Sequence, residues 1–130
     1  TRPDVEFVAL HKPPGHSFKL FPALFRLFRK YRPDVVHTRN LAALETSFPA
    51  WLAGVPVRIH GEHGWDHNDR EGSNKKYQLV RRVYSGLVTR YVALSRKIQT
   101  YLQDKVGIGA GRIRRICNGV DARRFSPAAG

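Results

Sequence analysis

Within five consecutive positions the chain places His60, Gly61, Glu62, His63 and Gly64. Two imidazoles and a carboxylate this close together are more than a turn requires, and three chemistries fit them. One is a metal site, completed by Asp66 or His67. The spacing matches no helical zinc motif, and the stretch reads as a strand running into a loop, which weighs against metal. The second is a histidine hydrogen-bonded beneath the loop in a structural role. The third is a histidine facing a sugar or a phosphate, where imidazole donates or accepts near neutral pH. Period-two alternation puts His60 and His63 on opposite sides if the strand continues through both, so only one of them lines a crevice.

Other polar clusters recur at the ends of apolar runs: His37-Thr38-Arg39-Asn40, then Ser95, then Asn118-Gly119. Strand ends need turn residues and helix caps, and an N-cap role is the leading reading for Asn40 and Ser95. Capping explains little of the two histidines and the glutamate. The chain has no G-x-G-x-x-G turn and no P-loop, so it lacks a phosphate cradle of its own. No Ser-His-Asp arrangement is defensible. Cys117 has no evident base and reads as a small buried residue at a strand end.

The elements that must position these residues alternate between strand and helix patterns. Strands are expected over residues 5–10, 35–37, 55–59, 91–94 and 112–116, that over 35–37 of buried type. Between them, apolar residues fall at helical spacing. Leu20, Leu24, Leu27, Phe28 and Tyr31 form one face, with Ser17 as N-cap and Pro22 in the first turn. Leu41, Leu44, Phe48, Trp51 and Leu52 form a second, kinked at Pro49. Leu79, Val80, Val83, Tyr84 and Leu87 form a third after Asn74, with Arg81 and Arg82 on another side. Ile98, Tyr101 and Leu102 follow Ser95 and stop at Gly107. Such alternation means βαβ units: a doubly wound, Rossmann-like α/β fold, a parallel sheet with helices on both faces. Its crevice lies beyond the carboxyl ends of the strands, where the polar clusters converge on one rim.

A length of 130 residues suits one domain with one core. The hydrophobic share of 42% excludes disorder. One cysteine excludes an internal disulfide framework and permits a reducing compartment. No apolar run reaches the roughly 20 residues that span a bilayer. The formal net charge of +13 favours anionic partners: nucleic acid, an acidic membrane surface or phosphorylated ligands. The helix from Leu20 sets Phe21, Phe25 and Phe28 beside Arg26, Arg29 and Lys30, which suits docking on an anionic bilayer. Burial of both stripes, with the charges solvated, is the favoured reading. The start at Thr1 without any methionine, and the Pro-Ala-Ala-Gly ending, are expected of an incomplete piece.

Four strings carry a resemblance: PDVVHTRN, VPVRIHGEHG, YVALSRKIQTYL and RIRRICNGVDARRFSP. In this order they resemble the N-terminal, acceptor-side domain of family-4-type retaining glycosyltransferases of the two-domain GT-B kind. Asn118-Gly119-Val120-Asp121, followed by Phe125 and Pro127, is similar to the segment that closes that domain before the linker. HGEHGWD resembles sugar transferases of bacterial exopolysaccharide synthesis. The resemblance implies a partial domain over residues 1–126, lacking the first strand and its glycine-rich turn, with a linker starting at 127–130. It implies a hexosyltransferase-type enzyme moving a sugar from a nucleotide-sugar donor to a glycan or lipid-linked acceptor, without metal or other cofactor. The isolated piece, without a C-terminal donor domain, is expected to be inactive. His63, with Gly64, aligns with the family's reaction-centre histidine, and His60 is the second choice. Arg39, Asn40 and Glu62 would bind acceptor or donor sugar, while Ser95, Asn118 and Gly119 line the cleft. A cytoplasmic location follows, with peripheral contact at the inner face of the plasma membrane. The alternatives are a basic α/β module binding nucleic acid and a fragment of another nucleotide-sugar enzyme.

Overall fold

The computed structural model describes residues 3–15, 18–64, 69 and 71–119. The expected Ser17 cap, Asp66, His67 and the closing residues from Val120 onward lie outside them. Four parallel strands, β1 (Val35–Arg39), β2 (Val57–Glu62), β3 (Arg90–Ala93) and β4 (Ile113–Arg115), lie side by side in chain order. A 3-10 turn, Phe18–Leu20, leads into helix α1 (Phe21–Tyr31) ahead of β1. Helices α2 (Leu41–Leu44) and α3 (Ser47–Leu52) join β1 to β2, and α4 (Lys75–Tyr84) joins β2 to β3. Helix α5 (Arg96–Tyr101) runs into a π turn (Leu102–Val106) before β4. The architecture is the expected Rossmann-like α/β fold.

The sheet register sorts the polar residues into two sets. Thr38, His60, Tyr91 and Ile113 pair across the four strands in one row. Because side chains alternate along a strand, the next row, Arg39, Gly61, Val92 and Arg114, projects from the opposite face. The first face carries the main core. There Tyr91, Ala93 and Ile113 meet Ile98, Leu102 and Val106 of the α5 region.

Capping chemistry sets several boundaries. Asn74 Oδ1 accepts from the amides of Lys76 and Tyr77, and Ser95 Oγ accepts from Ile98 N–H. Gly107, at φ 85°, ends the π turn in the left-handed conformation that favours glycine. The segment expected as one kinked helix is broken into α2 and α3 at Glu45 and Thr46. Pro49 causes this: it offers no N–H to the Glu45 carbonyl, and its ring crowds that carbonyl. Glu45 instead accepts from Phe48 N–H.

Four expectations are corrected. Residues 5–10 form no strand; they run exposed beside α1, where the Tyr31 hydroxyl donates to the Glu6 carboxylate. The strand from Val35 is not of buried type, since β1 is the edge of the described sheet and only Thr38 in it is buried. The α4 face is rotated: Leu79 and Val83 are exposed, while Gln78 and Arg81 are buried. Glu62 on the sheet draws Arg81 inward, which turns the apolar stripe out. Cys117 is exposed beyond β4, not buried.

Candidate functional site

The ends of β1 and β2 build the site together. Asn40 N–H donates to Gly61 O at 2.9 Å, carrying the β1–β2 ladder one residue past β1. Its side chain caps no helix, contrary to the leading expectation; Oδ1 accepts from the His63 amide at 3.1 Å. Asn40 sits at φ 61°, ψ 165°, a region that suits glycine and costs another residue about 1–3 kcal/mol. The bonds to Gly61 and His63 hold it there.

His63 follows the last residue of β2, and its ring folds back over Gly61. A Cβ on Gly61 would lie 2.6 Å from His63 Nε2 and 3.0 Å from His37 Nε2. Gly61 is therefore the seat of the imidazole. Arg39 Nη2 lies 3.2 Å from His63 Nδ1. A guanidinium only donates, so Nδ1 accepts and the proton belongs on Nε2. Nε2 is buried and has no hydrogen-bond partner among the described residues. Burial, then the Arg39 cation, then His37 lower the His63 pKa below its ordinary value of 6.5. At neutral pH the site thus holds a neutral imidazole, its Nε2 turned in over Gly61, next to an exposed arginine.

The opposite face holds a second polar group, sealed from solvent. His60 is fully buried; Thr38 Oγ1 is 2.7 Å from its Nδ1 and 3.4 Å from the Ile59 carbonyl. Nε2 lies across the ring from this contact. That atom is 3.3 Å from Glu62 Oε1, within ion-pair range but without the alignment of a full hydrogen bond. Arg81 closes on Glu62 with both ends, Nε to Oε1 at 2.7 Å and Nη2 to Oε2 at 3.3 Å. Its Nη1 donates to the Tyr101 hydroxyl at 3.3 Å, and the guanidinium lies over the Tyr101 ring. Burial alone would raise the Glu62 pKa; the contacts with His60 and Arg81 outweigh it and hold the carboxylate below its ordinary range.

Of the residues expected at the site, Arg39, Asn40 and His63 are in mutual contact at the rim, with Gly64 exposed beside them. His60 and Glu62 are both interior, on the opposite face of the sheet. Ser95 caps α5 on the same edge of the sheet. Asn118 and Gly119 are exposed past β4, without a hydrogen bond to the His63 cluster among the described residues. Three contributors were not singled out from sequence: Gly61 as seat, His37 beside it and Arg81 beneath. The two-residue step from His60 to Glu62, which puts both on one face, was a readable signal for a buried partner.

No group of three or more His, Cys, Asp or Glu among the described residues is arranged to hold a metal ion. No helix among them is long and apolar enough to cross a membrane. A cleft of about 370 Å³ opens at the other end of β1, between Val8, Leu27, Tyr31 and Val35, away from this rim. Part of the cationic excess is structural. Arg58 donates to the carbonyls of Val55 and Leu87, Arg82 to those of Lys105 and Val106, and Arg112 to those of Ser85 and Val88. Arginines spent on clamping the backbone form no nucleic-acid groove.

The sequence pattern of Glycosyltransferase Family 4 matches residues 1–124. The chain belongs to glycosyltransferase family 4. This family-4 chain is 28% identical over 115 residues to a UDP-Gal:alpha-D-GlcNAc-diphosphoundecaprenol alpha-1,3-galactosyltransferase of Escherichia coli. The match takes in 86% of this chain and 30% of that protein. A crystal structure of a glycosyltransferase from Rickettsia africae shares the fold, with a TM-score of 0.64 and 22% identity. It is matched over 96% of this chain and 32% of its own length. The family-4 chain therefore spans about a third of the length of these relatives.

Proposed function

We propose that this chain forms the acceptor-side part of a cleft in which a sugar passes from a nucleotide-sugar donor to a lipid-linked or glycan acceptor. Residues 1–126 would form the acceptor-side domain, and a donor-binding domain after the linker at 127–130 would supply the other wall. The observation that carries this reading is the neutral His63 imidazole, seated on Gly61 beside the exposed Arg39 at the carboxyl ends of the strands. In the transfer, the bond from the anomeric carbon to a phosphate oxygen breaks and a bond to the acceptor oxygen forms. The acceptor proton leaves with the departing phosphate. The reaction centre becomes oxocarbenium-like, and a cation beside it would oppose that charge. A histidine kept neutral by burial and by Arg39 avoids the conflict. Retention of configuration and a hexose donor are part of the same proposal, by likeness to the family.

Arg39 spends one donor on His63 and, being exposed, keeps the others for an anionic acceptor group. A diphosphate-linked lipid, as named for the Escherichia coli relative, fits that chemistry. Such an acceptor places the enzyme at the inner face of the plasma membrane, in bacterial polysaccharide synthesis. The test is His63→Ala in the full-length enzyme, assayed for sugar transfer. A fall in kcat of roughly a hundredfold or more, with a small change in acceptor KM, supports the role. A kcat within about threefold of the native value (below 1 kcal/mol of transition-state stabilisation) removes it.

A further inference from the structure

We propose that the outer face of α1 and α3 is a docking surface for an anionic lipid bilayer. The proposal deepens the lipid-linked acceptor reading by naming the surface that would bring the cleft to the membrane. Helix α3, Ser47–Leu52, contains no charged residue. It buries Ser47, Pro49 and Ala50 and turns Phe48, Trp51 and Leu52 outward at 36%, 47% and 56% exposure. Phe18, ahead of α1, is 61% exposed. These aromatics are not scattered. Ring centroids lie 5.3 Å apart for Phe18–Phe21, 5.5 Å for Phe21–Phe48 and 6.1 Å for Phe48–Trp51. One ladder of four rings, half-buried at Phe21 and exposed at Phe18, Phe48 and Trp51, thus crosses the 3-10 turn, α1 and α3, and an apolar strip of this kind marks an interaction surface.

The structure changes which residues belong to it. Phe28 lines the clefts at the start of β1 and is not part of the strip. Cations border the ladder along α1. Arg29 follows Phe25 by one helical turn, and Arg26, Arg29 and Lys30 are all exposed. Helix α1 carries these three cations and no acid, and α3 carries no acid either. Glu45 is buried and ion-paired with Lys12 at 3.5 Å. The charge selects the occupant. Two copies meeting through this face would bring like charges together, whereas an anionic bilayer offers phosphates to the cations and an interfacial zone to the rings.

The experiment is cosedimentation of the full-length protein with phosphatidylglycerol-containing vesicles, against vesicles of phosphatidylcholine alone. The native protein should bind the first and not the second. Arg26→Gln with Arg29→Gln should weaken partitioning roughly thirtyfold. Phe48→Ser with Trp51→Ser should abolish it. Thermal unfolding checks each variant, and the arginine pair decides alone if the aromatic pair does not fold. Transfer to a water-soluble acceptor should be unchanged in these variants, so the catalytic reading stands or falls separately. Absence of native binding, equal binding by native and variant proteins, or a dimer lost with the aromatic pair in place of vesicle binding would overturn the proposal.

Discussion

Replacing Gly61 with alanine places a methyl group where the His63 ring lies. The new Cβ would sit 2.6 Å from Nε2 and 2.9 Å from Cδ2, while ordinary contact begins at 3.4 Å. The ring must therefore retreat by about 0.8 Å, and it cannot do so toward His37, whose Nε2 is 3.0 Å from the same Cβ. Moving outward stretches the 3.2 Å contact to Arg39 beyond hydrogen-bond range. A misplacement near 1 Å at a reacting centre costs on the order of a hundredfold in rate. The strand itself should suffer little, with a loss of about 1 kcal/mol, because the retreating ring is at the rim. The assay is kcat/KM for sugar transfer by the full-length enzyme, measured as a double-mutant cycle with His63→Ala. Gly61→Ala should cost roughly a hundredfold in the native background and nothing further once His63 is gone. Additive losses would refute the seat, as would native-like activity in Gly61→Ala.

Arg81→Met should destabilise the fold by about 3–5 kcal/mol in urea unfolding, because it strands the buried Glu62 carboxylate; destabilisation under about 1 kcal/mol would contradict the pairing. Since the Glu62 pKa lies below its ordinary 4.5, the stability it contributes is complete above that pH and drains away as pH falls further, which unfolding at graded pH would show. The His63 pKa, read by NMR titration, should lie below 6.5 and rise partway in Arg39→Gln, burial remaining as the larger cause. Stability tied to neutral His63 is full above 6.5 and declines as pH drops below it. Asn40→Gly should leave stability within about 1 kcal/mol, relief at φ 61° offsetting the lost bond to His63, yet slow transfer; Asn40→Asp, which keeps the acceptor oxygen, should slow it less.

Hydrophobic period and breakers placed all four strands and the helices between them to within a few residues, because each is a local property of the chain. Partners were harder to read. The apolar run at 5–10 looks like a strand, but strand formation needs a neighbour, and here the segment lies along α1. The α4 stripe was read from Leu79 and Val83, whereas a countercharge on β2 decided which side faces inward. At the rim, alternation correctly separated His60 from His63. What alternation could not tell is that Asn40 would bond His63 across the register, or that Gly61 is small because a ring lies on it. Those facts depend on which residues β1 and β2 set opposite one another.

The central claim is that this chain is one wall of a glycosyl-transfer cleft. Its most direct test is release of nucleotide from a nucleotide-sugar panel, starting with UDP-galactose, in the presence of a diphosphate-linked lipid acceptor. The full-length protein should transfer sugar to the lipid from one donor, and the 130-residue chain alone should transfer none. Turnover by the isolated chain, or no transfer from any donor by the full-length protein, would contradict the account.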